Sequence, residues 1–130
     1  MKILGISCFY HESAAALLID GKIIAASAEE RFSRKKHDAS FPQQAIEFCL
    51  SSAGITASDL DYVVCYESPF RKFERNLVMS LQYFPKSCSL FVDSMKNILV
   101  EKLWVKSIVA TWLNVPSEKI LFVSHHISHA

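Results

Sequence analysis

The amino-acid sequence predicts one α/β domain on a mixed sheet with antiparallel N-terminal strands and flanking helices. Three observations predict it. Three short apolar runs open the chain, an Asp20-Gly21 pair joins the second to the third, and each later apolar run follows residues repeating at helical spacing. Gly tolerates the positive φ of a type I′ turn, so Asp-Gly between apolar runs marks an antiparallel hairpin. Strands separated by helices need crossover connections and run parallel.

In chain order, residues 2–9, 14–19 and 22–28 read as strands, the last two forming the hairpin. The stretch EERFSRKKHDAS over 29–40 has no apolar period and reads as a loop, or at most a short helical turn. Pro42 suits the first turn of a helix, where its missing N–H is no loss, and Ala45, Ile46, Cys49, Leu50 and Ala53 then keep helical spacing until Gly54. Residues 62–66 read as a buried strand after the turn-rich Ser58-Asp59. Phe70, Phe73, Leu77, Leu81 and Phe84 step by three or four until Pro85, as expected of a helix resting its apolar stripe on the sheet. Phe91, Met95, Ile98, Leu99, Leu103 and Trp112 carry a long helical segment to Asn114, and 120–123 is a last strand that leads into SHHISHA. No internal repeat, low-complexity tract or linker divides residues 1–130.

The bulk numbers bound the function. With 51% hydrophobic and 21% charged residues the chain can bury a core, which excludes a disordered polymer. Its 14 basic and 13 acidic side chains leave a formal charge of +1, so no general field recruits nucleic acid or an anionic membrane. Cys8, Cys49, Cys65 and Cys88 stand singly among apolar neighbours, without the paired spacing of zinc or redox motifs, and read as buried thiols. The apolar start is broken by His11 and Glu12 before a secretory or membrane segment is complete, and a cytoplasmic location is expected.

Three places can carry chemistry. His125, His126 and His129, three of the chain's five histidines, follow the last strand directly. On a helix His125 and His129 would project from one face, close enough to share an ion such as iron, zinc, nickel or copper, with a further ligand from elsewhere. A pair at this spacing also occurs as ordinary surface or capping chemistry. The polar break His11-Glu12-Ser13, in a loop of about four residues, can meet an anion through backbone N–H groups and the imidazole, or can be a plain turn. Arg31, Arg34, Lys35, Lys36 and His37 form a basic cluster. It reads as a solvated face, or as a phosphate grip in which lysine acts as a point charge and arginine holds two oxygens. Glu29 and Glu30 are adjacent, and neighbours on a strand face opposite ways, which argues against one shared magnesium.

Together, ILGISCFYHESAAALLIDGKIIAASAEERFSRKKHDASFP and the closing VSHHISHA resemble the nodulation-type O-carbamoyltransferases, a family that includes antibiotic-tailoring carbamoyltransferases. The likeness spans nearly the whole chain, dense over 3–42 and 123–130. It implies an actin-like ATPase, ribonuclease H-like domain, related to the threonylcarbamoyl-transfer proteins, followed by a carbamoyl-adenylate-forming domain. Residues 1–130 are then expected to be the first lobe, without the second lobe or the C-terminal domain. The implied reaction makes carbamoyl adenylate from carbamoyl phosphate and ATP and passes the carbamoyl group to a small-molecule hydroxyl. Carried over by position, His125 and His129 match the metal-binding histidines, with iron favoured over zinc. His11 matches the histidine of the YHD-type segment, and Lys36 the lysine of the RxKHD segment; Arg34 and Lys36 are the implied phosphate contacts. Glu12 stands where the family commonly has aspartate. The resemblance further implies that the isolated chain is inactive, that its partner is the rest of the enzyme, and that neither nucleic acid nor membrane is bound. An apolar surface left by a missing lobe would favour self-association. Two alternatives stand beside this: a threonylcarbamoyl-type lobe acting on tRNA, and a non-catalytic interaction module of the same fold.

Overall fold

Backbone conformation at Asp20 and Gly21 sets the first architectural step. Both have positive φ, 50° and 79°, the paired left-handed geometry of a type I′ turn. The turn joins β2 (Ala14–Ile19) to β3 (Lys22–Ala28), which pair antiparallel, and β2 pairs antiparallel with β1 (Lys2–Ser7). The register shifts between Leu17 and Leu18, whose partners are Ala25 and Ile23, so Ile24 is an extra residue in β3. The computed structural model describes residues 1–9, 12–66, 69–83, 92 and 104–123.

After β3 come α1 (Glu30–Ser33) and α2 (Gln43–Ala53). Pro42 occupies the N-cap of α2 rather than its first turn, and Gly54 ends the helix at φ 61°, donating its amide to the Leu50 and Ser51 carbonyls. A 3-10 turn, Ala57–Asp59, carries a reciprocal Thr56–Asp59 capping box and leads into β4 (Tyr62–Cys65). Next follow α3 (Pro69–Gln82), α4 (Val105–Leu113) and β5 (Ile120–Phe122). Asn114, at φ 52°, caps α4 in the left-handed region where asparagine is tolerated.

The described strands form one sheet in the order β3-β2-β1-β4-β5, with β4 parallel to β1 and β5 parallel to β4. The expected mixed α/β class is therefore the observed one. Alternation sorts each strand between two faces. One face presents Leu4, Ile6, Ala15, Leu17, Val63, Cys65 and Ile120, all buried, to Ala45, Ile46 and Cys49 of α2 and to Val105, Val109 and Leu113 of α4. Phe41 meets Trp112 at 5.2 Å between ring centroids, tying the entry to α2 to α4. The other face carries small side chains, Gly5 opposite Ala16, Ser7 opposite Ala14, Ala14 opposite Ala28 and Ala16 opposite Ala26.

Three expectations change. The first strand ends at Ser7 rather than at residue 9, because the Phe9 amide leaves the ladder and donates to the Ala39 carbonyl at 2.9 Å. Glu29 and Glu30 lie on no strand: Glu29 is the N-cap of α1 and Glu30 its first residue. On α3, Leu81 is 67% exposed, as are Val78 and Met79 in large part, so this end of the apolar stripe does not rest on the sheet. Periodicity reports that a helix has an apolar face, not what covers it. The first part of the long helical segment, Phe84, Phe91 and residues 93–103, lies outside the described residues, as does Cys88.

Candidate functional site

Strand direction gathers the sequence motifs at one end of the sheet. β1, β3, β4 and β5 all leave the sheet at the end where β2 begins, as their parallel and antiparallel registers require. Sites in α/β sheets collect beyond strand carboxyl ends, where the connections diverge. An open concavity of about 590 Å³ lies along the small-residue face and reaches this end. Its wall includes Ser7, Ala14, Ala28, Tyr66 and Val123, and among the described residues Arg31 is the one charged residue lining it. Val123, whose amide donates to the Cys65 carbonyl at 2.9 Å, directly precedes the SHHISHA segment. Its neighbours on the wall, Ser7 and Ala14, flank the loop that carries His11.

The loop between β1 and β2 is fastened to the segment 37–40. Phe9 N–H donates to the Ala39 carbonyl at 2.9 Å and Ser13 N–H to the Asp38 carbonyl at 2.8 Å. The Ser13 hydroxyl, 1% exposed, donates to the Ser40 carbonyl. His37 Nδ1 lies 2.9 Å from Glu12 Oε1. A carboxylate only accepts, so Nδ1 carries the proton. Asp38 turns back on its own segment, accepting from the Ser40 hydroxyl at 2.6 Å and the Ser40 amide at 3.1 Å. Hydrogen bonds from Ser40 and Ser33 hold its carboxyl down at about 2.

Backbone conformation marks the same place. Phe9, Arg34 and His37 have φ of 61°, 59° and 55°, in the left-handed region that non-glycine residues seldom adopt. Such conformations persist where surrounding bonds over-determine them, and they cluster at working sites. The bonds are present: Arg34 N–H donates to the Glu30 carbonyl at 3.0 Å, and His37 N–H donates to Glu30 Oε2 at 3.3 Å.

Of the residues singled out from sequence, Arg34 and Lys36 are both exposed, and neither lines the concavity. His11, His125 and His129 lie outside the described residues. Among the described residues no group of three or more His, Cys, Asp or Glu stands close enough to hold a metal ion. Sequence reading missed the Glu12–His37 pair and the place of Arg31 on the concavity. The only written signal for either was charge type, because the partners meet across a sequence separation of 25. Glu29, weighed as a metal ligand, is instead 3% exposed, and its carboxylate accepts the amides of Gln44 at 3.2 Å and Ala45 at 2.8 Å at the start of α2.

Comparison with known proteins decides the family. Residues 2–130 match the model of the carbamoyltransferase N-terminus. The chain belongs to the carbamoyltransferase family. The chain is 47% identical to an uncharacterized protein of Synechocystis sp., over 98% of the chain and 22% of the relative. It is 35% identical to the nodulation protein NolNO of Sinorhizobium fredii, over 94% of the chain and 17% of the relative. The chain thus spans about a fifth of the length of these two relatives. Among solved structures, YeaZ from Pseudomonas aeruginosa aligns over 95% of the chain and 43% of its own length, at 16% identity and a TM-score of 0.47. No helix among the described residues is long and apolar enough to cross a membrane.

Proposed function

We propose that this chain is the first, actin-like lobe of an ATP-using O-carbamoyltransferase that carbamoylates the hydroxyl of a small molecule in the cytoplasm. The observation that carries the reading is the fastening of the His11 loop to the RKKHD segment at the sheet end where β1, β4 and β5 deliver their carboxyl termini. Family membership supplies the reaction class. Carbamoyl phosphate, water and ATP give carbamoyl adenylate, phosphate and pyrophosphate: water releases carbamate from its phosphate, and a carbamate oxygen bonds to the α-phosphorus of ATP as pyrophosphate leaves. In the transfer step the acceptor oxygen bonds to the carbamoyl carbon, the bond from that carbon to the adenylate oxygen breaks, AMP leaves, and the hydroxyl proton passes to a base.

His11 is suited to that proton, since an imidazole titrates near neutral pH. Lys36 and Arg34, both exposed, are suited to phosphate oxygens, the first as a point charge and the second as a two-pronged donor. His125 and His129 follow in sequence after Val123, which lines the concavity, and imidazole donors are fit for iron or zinc. A divalent ion there would polarise the carbonyl under attack. The remaining length of such an enzyme is the partner of this lobe, and neither tRNA nor membrane has a part in the reading. The exposed Ile23 and Ile24 on edge strand β3 favour self-association of the isolated chain, which size exclusion at several concentrations reads as an elution shift.

The test is carbamoyl transfer at the protein's native length, with AMP release followed beside the carbamoylated product. His11→Ala should lower the transfer rate by about 100-fold or more, the range of a lost general base. Lys36→Ala should raise the carbamoyl phosphate requirement, and residues 1–130 alone should be inactive. Full transfer by the His11→Ala variant, or by residues 1–130 alone, refutes the assignment.

A further inference from the structure

We infer that the small-residue face of the sheet seats an amphipathic helix, bearing one acidic side chain, from the polypeptide that follows residue 130 at native length. The inference rests on the proposal that this lobe belongs to a longer enzyme, and not on the reaction itself.

A sheet face left in water alternates apolar with polar residues, whereas parallel strands apolar on both sides are covered on both. β4 and β5 are of the second kind: Val63, Cys65 and Ile120 turn to α2 and α4, and Tyr62, Val64 and Leu121 turn the other way. Register and alternation place no charged strand residue on that second face. Large side chains stand bare there, with Ile23 71%, Leu121 44% and Tyr62 41% exposed. An apolar surface of this kind marks a covered interface.

The chemistry of the face selects the occupant. It offers few hydrogen-bonding groups, so whatever lies on it must satisfy its own backbone, as a helix does and a loop or lone strand does not. Gly5 opposite Ala16, and Ala16 opposite Ala26, make a floor almost without side chains, and the hollow of about 590 Å³ above it suits the convex ridge of a helix. A second copy fits poorly, since a two-fold contact sets hollow against hollow. Arg31 lines the hollow, and the ion pairs among the described residues are Met1–Asp20 and Glu12–His37, so a carboxylate for its guanidinium falls to the occupant. From β3 to β5 the face is about 19 Å wide, which a helix of about 13 residues spans. The chain covers about a fifth of the length of its relatives, which leaves ample polypeptide to supply it. Val123 stands on the wall of the hollow, and residue 130 comes seven positions later, a reach of at most about 25 Å.

The experiment labels Ala26→Cys and Leu121→Cys with a maleimide at native length, resolved by peptide, with Ser52→Cys, exposed on α2, as the reference. Parental melting temperatures confirm that the cysteines leave the fold intact. Both face positions should label about 100-fold slower than the reference, because the helix must first lift. Arg31→Glu, which sets like charges together, should speed both by about tenfold. A photoreactive phenylalanine analogue in place of Ile23 should cross-link to a peptide beyond residue 130 of the same chain. Labelling of either face position at the reference rate overturns the inference, as does a cross-link only to a second copy or none beyond residue 130. Rates unmoved by Arg31→Glu overturn the acidic contact. No readout needs turnover, so failure of the proposed reaction and failure of this inference are told apart.

Discussion

Asp38 turns a run of charged residues into a defined bend. Its carboxyl is pulled from near 3.8 to about 2, first by the Ser40 hydroxyl, then by Ser33 and the Ser40 amide. The folded value lies below the unfolded one, so the contribution of the ionised group is fully present above about pH 3.8 and is lost as pH falls through about 2. NMR titration should find the Asp38 carboxyl midpoint near 2, and Ser40→Ala should move it up toward 3.8; an unmoved midpoint would show that the hydroxyl is not the cause. At this scale the sequence was partly legible. It marked Arg34, Lys36 and His11 as chemistry-bearing types, but a basic run reads the same whether it is solvated or fastened. The left-handed conformations of Phe9, Arg34 and His37 had no written sign, because none of these positions is glycine.

Helix α2 shows where local rules suffice and where they stop. Its length follows from the spacing of Ala45, Ile46 and Cys49 and from Gly54 at the C-terminus. Its N-terminus is another matter: Pro42 offers no side-chain cap, and the first amides are met by Glu29 from beyond β3. Negative charge at a helix N-terminus is favourable, and a buried amide left without an acceptor costs about 1–3 kcal/mol. Glu29→Ala should accordingly lower unfolding free energy by about 2 kcal/mol in urea titrations, and a change below about 0.5 kcal/mol would show that the cap is dispensable. The β2–β3 hairpin, by contrast, was legible in its turn and antiparallel sense, since Asp-Gly between two apolar runs sets both, while the register shift at Leu17/Leu18 had no written sign. At Leu81 the α3 stripe is exposed, because an amphipathic pattern carries no address for its partner.

Across the molecule, the core between the sheet and α2 and α4 encloses three thiols, Cys8, Cys49 and Cys65. Burial pushes Cys8 and Cys65 up to about 12, with Cys65 adding to the effect at Cys8, so neither forms a reactive thiolate at neutral pH. Peptide-resolved labelling with a thiol reagent at pH 8 should leave both unmodified in the folded protein and reach them at the rate of global opening. Labelling well before unfolding would place them outside the cooperative core. The sequence by itself determined the strands, the hairpin, the extent of α2 and the order of the motifs, because turn chemistry and hydrophobic period act between near neighbours. Tertiary structure alone decided that residues 9–13 close onto 37–40, that Glu29 caps a helix, and that Val123 reaches the same concavity as Ser7 and Ala14. Those outcomes depend on pairings between distant segments, whose energies become available only once the sheet has brought the ends of β1, β3, β4 and β5 together.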